Sequence, residues 1–372
     1  MDKNMSEDKL DDEFEREQFE QGQVKQEQTE QLQANSTEVQ SVDSPQNIAA
    51  DLMSPIQKGH QIISKLSQNI NSALIGQESI VEMALTCLFA GGHLLIEGVP
   101  GLGKTLLVRS IAKSFSGDFS RIQFTPDLMP SDVTGHAMFD QKSEKFRIRK
   151  GPAFTNLLLA DEINRAPAKT QSALLEVMQE RHITIEGRSH AVSSPFMVLA
   201  TQNPLEQEGT YPLPEAELDR FLMNILIDYP SVADEISLVK TITTGTIDDS
   251  TLMEELKPIT SAKVIMDLQK LAASIRVDDS IFDYAVRLVT ATREWSGVQM
   301  GASPRASIAL IRAAKALALV RGSEFVTPDE IKNVALAVMR HRIVLSAELE
   351  IEGVGVEQVI ADLLAQIPAP RQ

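Results

Sequence analysis

The segment GVPGLGKT, Gly98 to Thr105, places a lysine and a threonine directly behind closely spaced glycines. It matches the phosphate-binding loop pattern of Gly, four residues, then Gly-Lys-Ser/Thr, and its flanks HLLIE and TLLVRSIAKSF predict the strand and helix that such a loop joins. Because glycines let backbone N–H groups wrap phosphates at a helix N-terminus, we expect Lys104 to contact nucleotide phosphates and Thr105 to ligate Mg²⁺. The alternative is a glycine-rich turn with a chance lysine, which these flanks disfavour.

The run LLLADE predicts a buried strand that ends in two adjacent carboxylates, Asp161 and Glu162. Ligands of open α/β sheets bind beyond the carboxyl ends of the strands, so both residues should face the same crevice as the loop. We expect Asp161 to hold Mg²⁺, directly or through water, and Glu162 to orient and polarise an attacking water. Alone, the pair would be an ordinary solvated start of a loop.

Two further polar residues lie where they could reach a bound anion. Asn203 in LATQNP follows another predicted strand, and its amide could hydrogen-bond water and a phosphate oxygen together. A turn-forming Asn-Pro is the alternative. Arg305 in GASPRA lies in the first turn of a helix capped by Ser303, where the helix dipole opposes a cation. That placement favours a nearby anion, either a phosphate or a carboxylate in a salt bridge.

Arg220, in the segment LPEAELDRF, stands among three carboxylates, Glu215, Glu217 and Asp219. The simplest interpretation pairs the arginine with these neighbours. The alternative is that its partner is an anion that the chain itself does not carry.

Five short apolar runs predict the strands that would position these residues. They are HLLIEG (93–98), RIQFT (121–125), NLLLAD (156–161), MVLATQ (197–202) and LMNILID (222–228). Helical stretches alternate with the runs, and the third run is almost wholly apolar, as expected for a strand buried on both faces of a parallel sheet. We therefore predict an α/β domain over residues 55–235, with a β-hairpin within residues 181–196.

The two ends of the chain differ from this pattern. Residues 250–368 have helical apolar spacing and predict a smaller all-helical domain, whose last long helix starts with a capping box of Thr327 and Glu330. The first 50 residues contain 13 Asp and Glu, 4 Lys and Arg, and nine Gln. Such a composition buries too little apolar area to offset ordering entropy, so a disordered acidic tail is predicted over residues 1–54.

Composition excludes several classes of protein. The formal charge of -17 argues against a nucleic-acid binder with a broad basic face, although a local basic loop could remain. The single cysteine, Cys87, excludes an internal disulfide and lies in an apolar helical stretch typical of a buried, inert thiol. No apolar run approaches the roughly 18 residues of a membrane span, and no secretory signal is recognisable, so a cytoplasmic protein is expected.

The segments GVPGLGKT, LLLADEINRAPAKTQSALLEVMQE, ATQNP, LPEAELDRF and GASPRA together resemble the MoxR family of AAA+ ATPases. The resemblance runs from about residue 75 to the end of the helical domain. It implies an AAA+ P-loop core with a five-stranded parallel sheet, a helical lid, and assembly as a ring, with a hexamer expected. It also implies an active ATPase that uses ATP and Mg²⁺, with Thr105 and Asp161 as metal ligands and Glu162 as a catalytic residue.

The resemblance assigns roles to other residues as well. Ile75 and Gly76 would flank the adenine, Asn203 would be the sensor 1 residue, Arg305 the sensor 2 residue, and Arg220 the arginine finger for ATP held by a neighbouring copy. The nucleotide-binding loop would comprise Gly98, Val99, Pro100, Gly101, Leu102, Gly103, Lys104, Thr105 and Leu106.

Partner surfaces are also implied by the resemblance. Residues 125–154 resemble the family's helix-2 insert, and the hairpin near Gly187 resembles its pre-sensor 1 insert; both are expected to face a central pore or a remodelled partner. Partners of this family typically contain a von Willebrand factor A domain. Arg165 in NRAP could form a salt bridge within the subunit or face a neighbouring one.

Three functions follow from these patterns. We expect an ATP-driven ring that remodels or matures a partner protein, with no nucleic acid and no membrane span. A nucleic-acid motor is a second hypothesis, because related helicases share the clade and the segments EGRSH and KSEKFRIRK are locally basic. A non-hydrolysing, nucleotide-dependent interaction module is the third, and the intact Lys104, Asp161, Glu162 and Arg220 disfavour it.

Overall fold

The computed structural model describes residues 53–99, 101–142, 144–203, 209–244 and 256–370. The described residues from Ser54 onward form one compact unit. The predicted acidic tail lies almost wholly outside the described residues, and so does Pro100 of the predicted phosphate loop. Within the described ranges, no helix combines the length and the apolarity that crossing a membrane requires.

A five-stranded sheet forms the centre of the α/β part, as predicted. Within the described residues the strands are, in chain order, β1 (Leu94–Glu97), β2 (Phe119–Gln123), β3 (Gly135–Asp140), β4 (Lys145–Lys150), β5 (Leu157–Asp161), β6 (His182–Ile185), β7 (Arg188–Ala191), β8 (Met197–Gln202), β9 (Met223–Leu226), β10 (Val298–Met300) and β11 (Val344–Leu345). The sheet has the order β2-β5-β8-β1-β9, and its neighbouring strands are parallel. The prediction of a parallel sheet is confirmed, although β2 starts two residues before the predicted run.

Helices cover the sheet and form the C-terminal part. Within the described residues they are α1 (Pro55–Asn71), α2 (Glu78–Phe89), α3 (Lys104–Ser114), α4 (Pro130–Thr134), α5 (Ala168–Glu180), α6 (Glu215–Leu218), α7 (Val232–Thr244), α8 (Ala262–Ser274), α9 (Asp279–Glu294), α10 (Pro304–Val320), α11 (Pro328–Met339), α12 (Ala347–Ile351) and α13 (Val356–Gln366). The capping box of Thr327 and Glu330 forms at the start of α11, and Ser303 caps α10. Both caps satisfy backbone N–H groups that the first turn leaves unpaired.

In the described parts of the chain, three short antiparallel pairs accompany the sheet. The β6–β7 hairpin turns at Glu186 and Gly187, and both residues have positive φ angles, 48° and 72°, as a tight two-residue turn requires. The β3–β4 hairpin occupies the predicted insert between β2 and β5. The β10–β11 pair adds a short ribbon to the helical part, beyond what apolar spacing predicted.

Among the residues that the structure describes, two apolar clusters lie on opposite faces of the sheet. The first joins buried residues of α1, α2 and α3 to those of α8, α9, α10 and α11, so the helical part packs directly on α1 and α2. Polar contacts follow the same surface: Gln269 donates to the carbonyl of Leu88 (2.8 Å) and Arg312 to that of Ala90 (2.7 Å). The second cluster lies under α5 and the β6–β7 hairpin. Cys87 is fully buried in the first cluster, and this burial raises the pKa of its thiol, as the inert interpretation requires.

Candidate functional site

The loop between β1 and α3 is built around close backbone approaches. A Cβ atom at Gly98 would lie 2.6 Å from the carbonyl oxygen of Ile227, which only glycine avoids. Gly103 precedes α3 in a left-handed conformation, with φ of 77°. The loop therefore needs glycine at both positions to turn into the N-terminus of α3, where backbone N–H groups point outward.

A cavity of about 660 Å³ opens at the carboxyl ends of the strands, beside this loop. The predicted site residues that line it are Ile75, Gly98, Gly101, Leu102, Gly103, Lys104, Thr105, Leu106, Asp161, Glu162 and Asn203. Gly76 and Val99 are described but are not among its lining residues. The structure thus brings the loop, the acid pair and the residue after β8 to one crevice, the arrangement expected for a parallel sheet.

Lys104 lies among carboxylates in this cavity. Its Nζ donates a hydrogen bond to the carbonyl oxygen of Gly98. Partial burial lowers the pKa of Lys104, and the negative charges of Asp161, Glu162 and Glu97 oppose that change. The cavity therefore sets one ammonium group against several acids at the place where a nucleotide phosphate would lie.

A single hydroxyl connects the two acids that follow β5. Thr201 donates from Oγ1 to Oδ1 of Asp161 (2.6 Å) and accepts from the backbone N–H of Glu162 (2.8 Å). The strand register explains this contact, because Ala160 pairs with Ala200 and the next residues of β5 and β8 are then neighbours. Glu162 has a φ of 56°, an unfavourable conformation for a residue with a side chain, and the contact with Thr201 helps to hold it.

The carboxylates of both acids have partners on neighbouring elements. Arg121 on β2 binds Oδ2 of Asp161 through Nη2 (2.6 Å). Oε2 of Glu162 accepts from Nε2 of Gln123 (2.7 Å) and pairs with Nε of Arg165 (3.0 Å). Of the two alternatives for Arg165, the structure contains the salt bridge within the chain. Thr105 and Asp161 offer a hydroxyl and a carboxylate oxygen to the same cavity, the hard ligands that Mg²⁺ prefers.

Arg220 and Arg305 do not line this cavity. They lie in a second one, of about 290 Å³, which shares no lining residue with the first. The second cavity lies at the amino end of β1, beside Gly92, whereas the phosphate loop starts at Gly98 on the carboxyl end. Six residues of extended chain span about 20 Å at ~3.3 Å per residue, more than an arginine side chain can bridge.

The two arginines differ in their contacts. The Arg305 side chain is 68% exposed, and its Nη1 lies 3.7 Å from Oδ2 of Asp219, a weak ion pair. The Arg220 guanidinium forms no hydrogen bond or ion pair with the described residues. Pairing with its sequence neighbours is therefore not observed: Asp219 binds Arg342, and Glu217 accepts from Ser172 (3.0 Å).

His93 is buried at the edge of the second cavity and is held neutral. Its Nδ1 accepts from the backbone N–H of Val198 (3.0 Å), so Nε2 is the protonated nitrogen and donates to the carbonyl of Met178 (3.1 Å). The pKa of His93 is lowered to about 4, mainly because the ring is buried. The hydrogen bond to the Met178 carbonyl opposes this change, and the charges of Arg181 and Arg312 add to it.

Sequence reasoning missed Arg121, Gln123 and Thr201. Arg121 and Gln123 are two residues apart on β2, so their side chains leave the same face of the sheet. That alternation predicts that the two side chains share a face. It does not predict that they contact Asp161 and Glu162, because this contact requires β2 to lie beside β5 and the strand order was not predicted. Thr201 has the same dependence, because only the pairing of β5 with β8 places it against Asp161.

A phosphate loop after β1, paired acids after β5 and an amide after β8, in a parallel sheet followed by a helical part, define an AAA+ P-loop ATPase. Two family models match the chain. The model described as the ATPase family associated with various cellular activities (AAA) matches residues 93–223, and the AAA lid domain matches residues 290–363.

Several known proteins are similar along most of this chain. Chaperone MoxR1 of Mycobacterium tuberculosis is 45% identical, covering 81% of this chain and 81% of that protein. The Bacillus subtilis protein YeaC is 44% identical, covering 84% and 96%. A solved Cytophaga hutchinsonii structure, described as a candidate ATPase, has a TM-score of 0.79 at 39% identity and covers 85% of this chain and 97% of that chain. The chain belongs to the MoxR family of AAA+ ATPases.

Proposed function

We propose that the chain hydrolyses ATP with Mg²⁺ in a ring of identical copies and uses the hydrolysis to remodel or mature a partner protein. One observation carries the ring: Arg220 and Arg305 share a cavity at the opposite end of the sheet from the phosphate loop. Each copy then presents a nucleotide cavity on one side and arginines on another, and joining copies head to tail completes every site.

Within one copy, each residue of the nucleotide cavity has a distinct task. The loop N–H groups and Lys104 bind phosphates, and Thr105 and Asp161 would hold Mg²⁺, whose charge offsets that of the phosphates when it is bound. Glu162 orients the attacking water as a general base, and Asn203, 7% exposed after β8, positions that water against a phosphate oxygen. Ile75 supplies an apolar wall for the base.

Across the contact between copies, Arg220 and Arg305 act on the nucleotide of the neighbour. A guanidinium has donors in a fixed fork that matches phosphate geometry. Arg220 carries no partner among the described residues, so its donors are available to a phosphate that another copy brings. Where such arginines have been measured in other phosphoryl-transfer systems, they accelerate the reaction by about 10³–10⁵. Ring size, for which the family resemblance suggests six, is part of this proposal.

Mixed rings test the division of labour between copies. Arg220→Ala should bind ATP but hydrolyse it about 10³-fold more slowly, and Glu162→Gln should be inactive for its own reason. Mixing the two restores activity, because some sites then combine an intact Glu162 with an intact Arg220. Arg276→Ala, an exposed lid arginine outside both cavities, is the control and keeps wild-type turnover. Mixed rings that form but show no recovered ATPase activity would contradict the proposal that Arg220 acts on the nucleotide of a neighbouring copy.

A partner-binding surface is proposed on the β3–β4 hairpin. The register places Phe139 opposite Phe146 and Ala137 opposite Ile148, so one face is apolar. The two rings contact edge to face at 5.4 Å, and Phe146 is 75% exposed. Exposed aromatic clusters of this kind mark protein-binding sites. The name of the M. tuberculosis relative, a chaperone, supports a protein partner, and a von Willebrand factor A-domain protein is proposed from the family resemblance alone.

A capture experiment tests this surface. Glu162→Gln with ATP should retain the partner from a lysate, and adding Phe146→Ser should abolish retention without changing ATP binding. Capture that is unaffected by Phe146→Ser would remove the hairpin from the partner interface.

The opposite face of the same hairpin favours one alternative, a nucleic-acid motor. Arg147 and Arg149 leave that face, and the strand β4 is exposed along its whole length. The net charge of the chain, -17, opposes this function. ATPase activity that DNA stimulates, and that falls steeply with salt, would support it. Unchanged turnover with DNA would support the protein-remodelling function.

A further inference from the structure

Arg342 is a buried cation of the helical part, and its side chain binds the α/β part. It ends the 3₁₀ turn Arg340–Arg342 that follows α11, and its side chain is 4% exposed. Nε donates to Oδ1 of Asp219 (2.6 Å), and Nη2 donates to the carbonyl of Phe221 (2.6 Å). Nη1 donates to the carbonyl of Leu222 (3.2 Å). The guanidinium therefore forms hydrogen bonds with the segment 219–222 on both sides of Arg220.

Asp219 extends this contact to the start of α10. Its Oδ2 accepts from the Ser303 hydroxyl (3.1 Å) and lies 3.7 Å from Nη1 of Arg305. One carboxylate thus joins the end of α11, the N-cap of α10 and the loop before β9. Asp219 therefore links the N-terminus of α10, which carries Arg305, to the segment that carries Arg220.

The energetics favour a role in orientation. Burying an ion pair is costly, and apolar residues of similar volume are often as stabilising, so the pair is weak support for stability alone. Arg342 offsets this cost because all three of its guanidinium nitrogens donate hydrogen bonds. Their acceptors are the Asp219 carboxylate and the carbonyls of a short loop. Such a fork fixes the backbone around Arg220 while the Arg220 side chain itself keeps no partner among the described residues.

We propose that Arg342 and Asp219 are positioning residues that hold Arg220 and Arg305 as one unit for the nucleotide of the neighbouring copy. The inference rests on the proposed function, in which those arginines act between copies.

The test replaces the fork and keeps the charge. Arg342→Lys keeps the charge but gathers its three donors on one nitrogen, so it loses the planar fork whose separate nitrogens bind Asp219, Phe221 and Leu222. We expect wild-type ATP affinity but turnover lowered by about 10²-fold, the effect of a misplacement of roughly 1 Å. Asp219→Asn should do the same. Arg340→Lys is the matched control: it lies in the same 3₁₀ turn but pairs with Glu357 (2.5 Å), outside the second cavity, and should keep wild-type turnover.

Mixed rings separate positioning from damage to the fold. Arg342→Lys mixed with Glu162→Gln should regain activity, because its own nucleotide cavity is intact and the other copy supplies correctly placed arginines. Arg342→Lys mixed with Arg220→Ala should show no more turnover than Arg342→Lys alone, because both copies are deficient on the same surface. A misfolded Arg342→Lys would be rescued by neither, and Asp219→Asn then provides the same comparison.

Each failure has a distinct meaning. Silence in the reference mixture of Arg220→Ala with Glu162→Gln contradicts the proposed function. Activity in that mixture, with full turnover by Arg342→Lys alone, overturns the positioning role. Activity in that mixture, with no rescue of folded Arg342→Lys or Asp219→Asn by Glu162→Gln although mixed rings form, overturns it as well, because the defect then lies within the variant's own nucleotide cavity.

Discussion

The hydroxyl of Thr201 donates a 2.6 Å hydrogen bond to Oδ1 of Asp161 and accepts one of 2.8 Å from the backbone of Glu162. Thr201→Val keeps the shape of the side chain and removes both bonds. We expect ATP binding to remain and turnover to fall by about 10²-fold, because both acids lose their alignment. Thr201→Ser keeps the hydroxyl and should stay near wild type. Steady-state ATPase assays with a binding titration decide this, and normal turnover in Thr201→Val would refute the link.

Glu162→Gln should separate binding from hydrolysis. The amide fills the same space but cannot accept a proton from water, so turnover should drop by about 10²–10⁴-fold. The matched control is Glu176→Gln, an exposed residue of α5 away from both cavities. Nucleotide affinity and phosphate release measured together test the prediction, and undiminished release in Glu162→Gln would reassign the general base.

Arg121→Gln should reduce the Mg²⁺ concentration needed for half-maximal ATPase activity. In the structure the Arg121 guanidinium binds Oδ2 of Asp161 at 2.6 Å, so Mg²⁺ held by Asp161 would have to compete with the arginine for this carboxylate. Arg287→Gln removes a comparable ion pair with Asp283 (2.7 Å) in the helical part and should leave the requirement unchanged. A Mg²⁺ titration at saturating ATP compares the two. An unchanged or higher requirement in Arg121→Gln would show that the arginine does not compete.

His93 should make folding stability depend on pH. Its pKa is about 4 in the folded chain, against roughly 6.5 in the unfolded chain, so the unfolded state binds the extra proton first as the pH falls. The contribution to stability is complete above pH 6.5 and is lost between pH 6.5 and 4, approaching about 1.4 kcal/mol per pH unit. Half-buried His341, whose pKa is lowered too, adds a loss of the same sign.

Urea unfolding at pH 7 and pH 5.5 measures this dependence. His93→Gln should weaken it, whereas His182→Gln, at an exposed position, should retain it. An equal dependence in wild type and His93→Gln would show that His93 is already neutral in the unfolded chain or charged in the folded one.

The sheet and the nucleotide cavity were predictable because their signals are local. An apolar run buried on both faces needs no knowledge of its neighbours to be recognised as a parallel strand. The phosphate loop joins one strand to the next helix, so its whole geometry lies within a few residues. Asp161, Glu162 and Asn203 follow strands directly, and every parallel strand ends at the same edge.

The second cavity was not predictable, because residues that are distant in the sequence form it only after tertiary packing. Arg220 lies before β9, whereas Arg305 and Arg342 come from α10 and from the turn after α11. No spacing rule relates those positions, and the helix dipole argument for Arg305 specified an anion without saying whose. The packing of the helical part on α1 and α2, which determines the answer, depends on long-range apolar contacts.

Placing the arginines at the far end of β1 from the phosphate loop has a genetic consequence in the proposed ring. A copy that lacks Arg220 would still hydrolyse its own ATP, but it would lower hydrolysis at the site of its neighbour. The mutated copy and the copy that loses activity are then different molecules. Loss-of-function changes in the second cavity should therefore act dominantly in cells that also make the intact chain. If the proposed ring is the active form, dilution below its assembly concentration should abolish ATPase activity without any inhibitor, by mass action alone.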